Sequence, residues 1–206
     1  MKKIIIYTGL LFASLACLNV TQAQIGEMQM RVGYNAGFPT GSFKDFMSKN
    51  SFRGYYGEVT YGITDQWRVG LGVQNNDYYE KLPRATYQTK DGTISAVVSN
   101  SIQTTPFLLK GQYQFGQTAW LRPYVGLGAG FNIISFNQYL GEFGQSKSAF
   151  KPAASAEAGV NMPFNKITRS SGISAGFHYD YLPFNYNGIN NLSNWGFHVG
   201  VFFPLG

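Results

Sequence analysis

Apolar and polar side chains alternate along most of the chain, in eight stretches of about ten residues. In a β-strand successive side chains point to opposite faces, so this alternation predicts strands with one apolar face. Trp67, Val69 and Leu71 illustrate the pattern, because Arg68 and Gly70 lie between them. The predicted strands cover residues 28–38, 55–63, 67–74, 107–115, 121–133, 154–162, 173–181 and 195–203.

The connections between these strands alternate in length. The long ones cover residues 39–54, 75–106, 134–153 and 182–194, and the short ones cover 64–66, 116–120 and 163–172. A strand of about ten residues crosses a bilayer at a tilt of roughly 45°. We therefore predict an all-β fold, an eight-stranded antiparallel up-and-down transmembrane β-barrel with its short turns in the periplasm and its long loops outside.

The longest connection, residues 75–106, contains a turn signal of its own. The dipeptide Asp91-Gly92 lies between two short polar stretches, and this dipeptide favours a tight hairpin turn. We expect a hairpin that projects beyond the membrane. A barrel of ten strands is the alternative, although residues 84–90 offer no apolar face for lipid.

The apolar faces of the strands carry almost no ionisable residue, while the opposite faces are rich in glycine and poor in charge. We expect the apolar faces to contact lipid, with aromatic residues near both ends of the strands. A soluble secreted carrier of the lipocalin type would turn its apolar face inward, and it remains the alternative. Across the chain, 25 glycines, 17% aromatic and 13% charged residues argue against disorder and against a coiled coil. The cations form no run that would indicate nucleic-acid binding.

The N-terminus has the layout of a secretory signal peptide. Lys2 and Lys3 precede an apolar segment, and Thr21 and Ala23 place small residues at the −3 and −1 positions of a cleavage site. We predict a signal peptide over residues 1–23 and a barrel domain over 24–206, located in the cell outer membrane. An uncleaved anchor and lipoprotein processing at Cys17 are the alternatives. Cleavage removes this single cysteine, so the mature chain would have no thiolate site.

Two segments resemble those of small bacterial outer-membrane barrels, a porin-like group that includes OmpW and OmpA-barrel relatives. Residues 122–131, RPYVGLGAGF, resemble the penultimate-hairpin region of such barrels. The end of the chain resembles the signal read by the barrel assembly machinery, although it ends in Leu205-Gly206 and not in an aromatic residue. The residues of this assembly signal are His198, Gly200, Phe203 and Leu205.

Ionisable residues gather on the faces predicted to point into the barrel. A lone charge in a narrow lumen is costly, so we expect these residues to pair. Pairing of the first strands places Glu58 near Arg31 and within diagonal reach of Arg68. The cluster is either a packed ionic plug or a weakly selective constriction. Its members are Arg31, Glu58, Arg68, Lys110, Arg122, Glu157, His178, Asp180 and His198.

Pairing of the last two strands about Gly188 places His178 opposite His198. We expect these residues to fill the lumen and not to hold a metal, which would need both imidazoles and a carboxylate to converge. We also expect no catalytic site, because no serine stands two residues after Asp180 or His178 for activation and both histidines point inward, away from lipid. We also expect no cofactor.

The resemblance implies a structural role or the passive permeation of small polar or apolar solutes, with outer-membrane lipid and the barrel assembly machinery as partners. The pattern also leaves open a surface binding or adhesion barrel and a lipid-modifying enzyme. Binding through residues 75–106 would characterise the first of these two.

Overall fold

A computed structural model describes residues 26–89, 92–115, 120–141, 143–165, 171–186 and 188–205. The predicted signal peptide, residues 1–23, lies outside the described residues, as do Cys17 and Asp91. No helix in the described part is long and apolar enough to cross a membrane.

The described chain forms twelve strands and one short helix. Eight strands close into a barrel in the order β1-β12-β9-β8-β7-β6-β3-β2, and each pairs antiparallel with its neighbours. The predicted eight-stranded barrel is confirmed. The elements are β1 (Met28–Pro39), α1 (Ser42–Phe46), β2 (Ser51–Gly62), β3 (Trp67–Lys81), β4 (Ala85–Thr89), β5 (Gly92–Ala96), β6 (Val98–Gln114), β7 (Arg122–Leu140), β8 (Phe143–Pro163), β9 (Gly172–Tyr181), β10 (Pro183–Tyr186), β11 (Ile189–Asn191) and β12 (Asn194–Pro204).

The β4 and β5 strands pair only with each other, as a separate two-stranded sheet. The predicted hairpin in this region is therefore present, and the ten-stranded alternative is wrong. Gly92 is the first residue of β5 and pairs with Thr89. Because both strands lack the alternating apolar face of the other strands, they stay outside the lipid-facing wall of the barrel.

The long connections are shorter than predicted at one end of the barrel, which we call the loop end. The predicted loops 75–106 and 134–153 are largely strand, because β3 continues to Lys81, β6 begins at Val98, and β7 and β8 pair as far as Leu140 and Phe143. In these segments the outward side chains are mostly polar, so the alternation that marks a lipid-facing strand ends while backbone pairing continues. We call these upper parts of β3, β6, β7 and β8 the raised sheet, residues 75–81, 98–106, 132–140 and 143–153.

Apolar side chains face outward along the membrane-spanning part of the barrel. Leu71, Leu109 and Leu127 are 67%, 64% and 71% exposed, whereas Arg31 and Glu58 are buried inside. This orientation suits a hydrocarbon environment, in which a closed barrel pairs all its backbone polar groups internally. The lipocalin-like carrier does not fit it, because such a carrier would bury the leucines.

Outward aromatic residues form a row near each end of the apolar belt. At the loop end, Phe131 stacks on Phe107 and on Phe150 with ring centroids 5.3 and 4.6 Å apart. At the opposite end, which we call the turn end, the ring centroids of Tyr113 and Trp67 lie 5.1 Å apart. Aromatic rows at these two levels are typical of a barrel in a bilayer, where amphipathic rings settle at the interfaces.

Two connections fold back over the loop end and close it. Helix α1 comes from the β1–β2 connection, and the β10–β11 hairpin comes from the β9–β12 connection. Their apolar side chains meet inward residues of the raised sheet in a cluster that we call the apolar cap. Its members are Phe43, Met47, Tyr78, Ile102, Leu108, Ile134, Phe136, Ala153, Leu182, Phe184, Ile189 and Leu192.

Candidate functional site

A network of ion pairs crosses the middle of the barrel, and we call it the ionic layer. The register of β1 and β2 places Arg31 beside Glu58, and the Arg31 Nη1 atom lies 3.0 Å from Glu58 Oε1. Lys110 Nζ on β6 lies 2.8 Å from Glu58 Oε2 and 2.6 Å from Glu157 Oε2. Gln112 Nε2 donates to one oxygen of each glutamate at 2.7 Å. The ionic layer therefore joins β1, β2, β6 and β8.

Glycines on the same inner face give these long side chains room. A Cβ atom at Gly126 would come within 2.9 Å of Glu157 Cγ, and one at Gly72 within 3.0 Å of Lys110 Cε. An eight-stranded barrel has an interior just wide enough for side chains. The alternation of glycine with charged residues along the strands is thus a condition for packing the ionic layer.

The ionic layer is balanced in charge and almost dry. Arg31 and Lys110 face two carboxylates, and the four side chains are between 1% and 10% exposed. Removing buried charges from water costs several kcal/mol per ion, which good geometry and extra hydrogen bonds can offset. The two bonds from Gln112 supply such extra donors.

A second polar group lies beside the ionic layer, around His178 and Asp180. Asp180 accepts hydrogen bonds from Ser155 Oγ and from Gln74 Nε2, both at 2.7 Å. His178 Nε2 lies 3.1 Å from the same Gln74 nitrogen and 3.6 Å from Asp180 Oδ2. His198 Nε2 lies 2.8 Å from the Tyr124 hydroxyl. Asp180 is therefore held mainly by neutral donors.

The predicted register of the two histidines is wrong by two residues. His178 pairs with Gly196, and His198 pairs with Gly176. The prediction placed the turn at Gly188, but this connection folds as the β10–β11 hairpin and does not set the register of β9 and β12. The two rings still stack diagonally, with centroids 5.8 Å apart.

Two predicted members of the charge cluster lie towards the turn end. Arg68 donates to the Glu27 carbonyl at 2.9 Å and to Thr60 Oγ1 at 3.3 Å, and among the described residues it forms no ion pair with Glu58. Arg122 is the first residue of β7 and pairs with Asn161. The β2–β3 register pairs Arg68 with Gly62, whereas Glu58 pairs with Gly72, so Arg68 lies nearer to the turn end than Glu58.

Neutral polar residues that the charge pattern did not single out complete the interior. Gln74 bridges His178 and Asp180, and Gln112 bridges the two glutamates of the ionic layer. Ser155 donates to Asp180, and the Tyr124 ring lies 4.7 Å from the Arg31 guanidinium carbon. Each lies an even number of positions from a charged inward residue on the same strand. Because alternate residues of a strand share a face, this spacing is the sequence signal that identifies them.

The geometry offers little to a metal or a nucleophile. Among the residues that the structure describes, no group of three or more His, Cys, Asp or Glu side chains is placed to hold a metal ion. Ser155 donates its hydroxyl to Asp180. Nucleophilic catalysis requires the hydroxyl to meet a general base that a third group orients, and this hydroxyl meets the acid directly.

The four residues of the predicted assembly signal lie on or just after β12, the strand that closes the barrel against β1. His198 points inward, whereas Phe203 has the parity of the lipid-facing residues. The Leu205 amide donates to the Met28 carbonyl at 2.8 Å. Strand β12 therefore completes the barrel by pairing with β1. Its recognition by the assembly machinery stays a prediction.

A closed barrel with an apolar belt, aromatic rows at both ends and charges confined to its interior is an integral outer-membrane β-barrel protein. Residues 8–203 match the family described as the outer membrane protein beta-barrel domain, and the chain belongs to this family. The predicted location in the outer membrane and the resemblance to small outer-membrane barrels are confirmed.

Solved structures show the same fold. OprG from Pseudomonas aeruginosa is 16% identical with a TM-score of 0.55, over 88% of this chain and 96% of that one. Neisserial surface protein A is 15% identical with a TM-score of 0.53, over 87% of this chain and 97% of that one. No curated protein sequence matches this chain. At these identities the likeness concerns the fold alone.

Proposed function

We propose that this protein is a closed, non-enzymatic outer-membrane barrel with a structural role. The observation that carries the proposal is the ionic layer, in which Lys110 bonds to glutamates from two other strands at 2.8 and 2.6 Å. Contacts of this length leave no space for a solute between the side chains. The apolar cap lies above this layer and gives the loop end a second barrier.

Passive permeation, the other role that the resemblance implies, would require both barriers to move. Breaking the ion pairs of the ionic layer leaves buried charges without partners in a poorly hydrated lumen, which is costly. Opening the cap exposes large apolar residues such as Phe43, Phe136 and Ile189, which are fully buried. Both costs favour the closed state.

Planar-bilayer conductance of the purified protein tests the proposal. We expect no unitary conductance steps at neutral pH, because the lumen is filled at two levels. Insertion is verified by recovering protein from the bilayer lipid and showing that boiling changes its migration in a gel. Steps of uniform size that change when Lys110 is replaced by methionine would establish a pore through this lumen and overturn the closed-barrel proposal.

The non-enzymatic part of the proposal rests on the interior as well. His178 and His198 point away from the lipid that a lipid-modifying enzyme would act on. The Ser155 hydroxyl is bonded to Asp180 and not to either histidine. These contacts support a packing role for the two histidines.

Binding at the cell surface is a second candidate, favoured by the height of the raised sheet and by the β4–β5 hairpin above it. Deletion of residues 75–106 would not test it cleanly, since residues 76–81 and 99–104 pair with each other within the barrel sheet. Deletion of the hairpin alone, residues 85–96, leaves this sheet in place.

A further inference from the structure

The outer face of the raised sheet has a different chemistry from the lipid-facing belt below it. Ser101, Gln103, Ser135 and Asn137 lie side by side there on β6 and β7. Ser146 on β8 continues the face and donates its hydroxyl to Asn137 Oδ1 at 2.8 Å. The centre of this face is thus polar and uncharged, and it offers hydroxyl and amide groups that both donate and accept.

Two exposed tyrosines flank this polar centre. Tyr79 on β3 and Tyr139 on β7 are 45% and 52% exposed. The register places Tyr79 beside Ser101 and Tyr139 beside Ser99, with β6 between the two rings. Two strand spacings separate the rings laterally by about 10 Å. The rings are therefore placed at the sides of a shared polar surface.

The face is continuous with the surface that contacts lipid. Phe107 and Phe131 pair at the aromatic row of the loop end, and the strands continue upward to the pair of Ser99 and Tyr139. Eight residues of strand extend roughly 27 Å along the strand axis. The loop end of an outer-membrane barrel faces outside, so this face stands beside the headgroups of lipids in the outer leaflet.

We propose that the outer face of the raised sheet binds the saccharide headgroup of an outer-leaflet glycolipid. Sugar hydroxyls are matched by the serine, asparagine and glutamine groups, which satisfy donors and acceptors without a charge. The negative face of a tyrosine ring attracts the weakly positive C–H groups on the face of a sugar ring. The lipid chains of the same molecule meet the apolar belt directly below.

The few charges on this face favour contacts with sugar hydroxyls over contacts with phosphate groups. Asp77 and Lys81 lie on the β3 side of the face, and Asp77 Oδ2 is 3.7 Å from Arg53 Nη1. A phosphate would need a cluster of cations, and a stable protein partner would need a larger apolar centre. The proposal goes beyond the structural role and does not depend on whether the lumen is closed.

Native mass spectrometry of the detergent-purified protein tests this proposal. The probes are lipid A carrying its core oligosaccharide, lipid A without the core oligosaccharide, and the free core oligosaccharide. We expect the sugar-bearing glycolipid to bind about tenfold more tightly than lipid A alone, because two aromatic contacts and several hydrogen bonds add to the chain contacts. The free oligosaccharide should compete only weakly.

The variant Tyr79→Ala/Tyr139→Ala should lose this preference, while Tyr79→Phe/Tyr139→Phe should keep it. The matched control is Tyr55→Ala/Tyr181→Ala, since these tyrosines are also exposed but lie outside the raised sheet. Heat-modifiable gel migration shows that every variant is folded. Equal binding of both glycolipids to the unaltered protein, or a preference that survives in Tyr79→Ala/Tyr139→Ala, would overturn the proposal. Free oligosaccharide competing as well as the glycolipid would overturn the lipid-borne source.

Discussion

At the scale of single residues, Lys110 is the centre of the ionic layer, since its ammonium group bonds to both glutamates. Glu58 retains Arg31 and Gln112 without it, but Glu157 retains only Gln112 among these partners. Lys110→Met should therefore lower the free energy of unfolding by about 3–5 kcal/mol, the usual cost of leaving a buried charge without its partner. Urea unfolding in lipid vesicles, followed by gel migration, measures this change.

The same reasoning predicts the stability of a double variant. Glu157→Gln added to Lys110→Met removes the unpaired carboxylate, so the double variant should be more stable than Lys110→Met alone. A double variant that is less stable than the single one would show that the cost comes from lost packing of the lysine side chain and not from charge.

At the scale of elements, α1 depends on contacts outside itself. A helix of five residues is too short to be stable alone. Phe43 and Met47 are fully buried in the apolar cap, and Glu80 on β3 accepts hydrogen bonds from both the amide and the hydroxyl of Ser48. Glu80 thus fastens the end of this connection to the raised sheet.

Glu80→Ala should release the α1 connection while the barrel stays intact. Loss of two hydrogen bonds to a carboxylate favours local opening by roughly 1.4 kcal/mol or more, so trypsin should cleave after Lys44 and Lys49 about tenfold faster. Mass spectrometry of the fragments measures the rates. Asp77→Ala is the matched control, because its exposed ion pair with Arg53 contributes little. Equal rates for the two variants would contradict the role of Glu80.

The elements also show how far sequence can predict this fold. The membrane-spanning halves of the strands are predictable, because every second residue there faces lipid and is apolar. The upper half of β6 is not, since Ser99, Ser101 and Gln103 face outward there and the period disappears. Helix α1 and the β10–β11 hairpin are too short for a periodic signal, and tertiary packing in the cap determines them.

Within the interior, the predicted neighbours on β1 and β2 meet, whereas the predicted histidine pair on β9 and β12 does not. Arg31 and Glu58 are register partners on β1 and β2, below the register shift between Asn35 and Gly37. The reach of Lys110 across the lumen to two strands could not be predicted, since it depends on barrel closure and on which side chains meet in its interior.

At the scale of the whole molecule, closure depends on the seam between β1 and β12, where Gly33 pairs with Gly200. A Cβ atom at Gly200 would overlap the Val32 carbonyl and come within 2.8 Å of Gly33 Cα and of the Tyr56 hydroxyl. The obstacle is mostly backbone, so it cannot move aside cheaply. An open seam would leave strand edges unpaired in hydrocarbon, where each unsatisfied group costs several kcal/mol.

Gly200→Ala should therefore reduce refolding into vesicles made only of phospholipid, measured as the fraction whose gel migration changes on boiling. Gly111→Ala is the matched control, because nothing lies within 4 Å of a Cβ atom there. Gly200 also belongs to the predicted assembly signal, and this experiment separates the two roles since the assembly machinery is absent. If Gly200→Ala refolds as well as Gly111→Ala in vesicles but fails to assemble in cells, the seam argument is wrong and the glycine serves recognition.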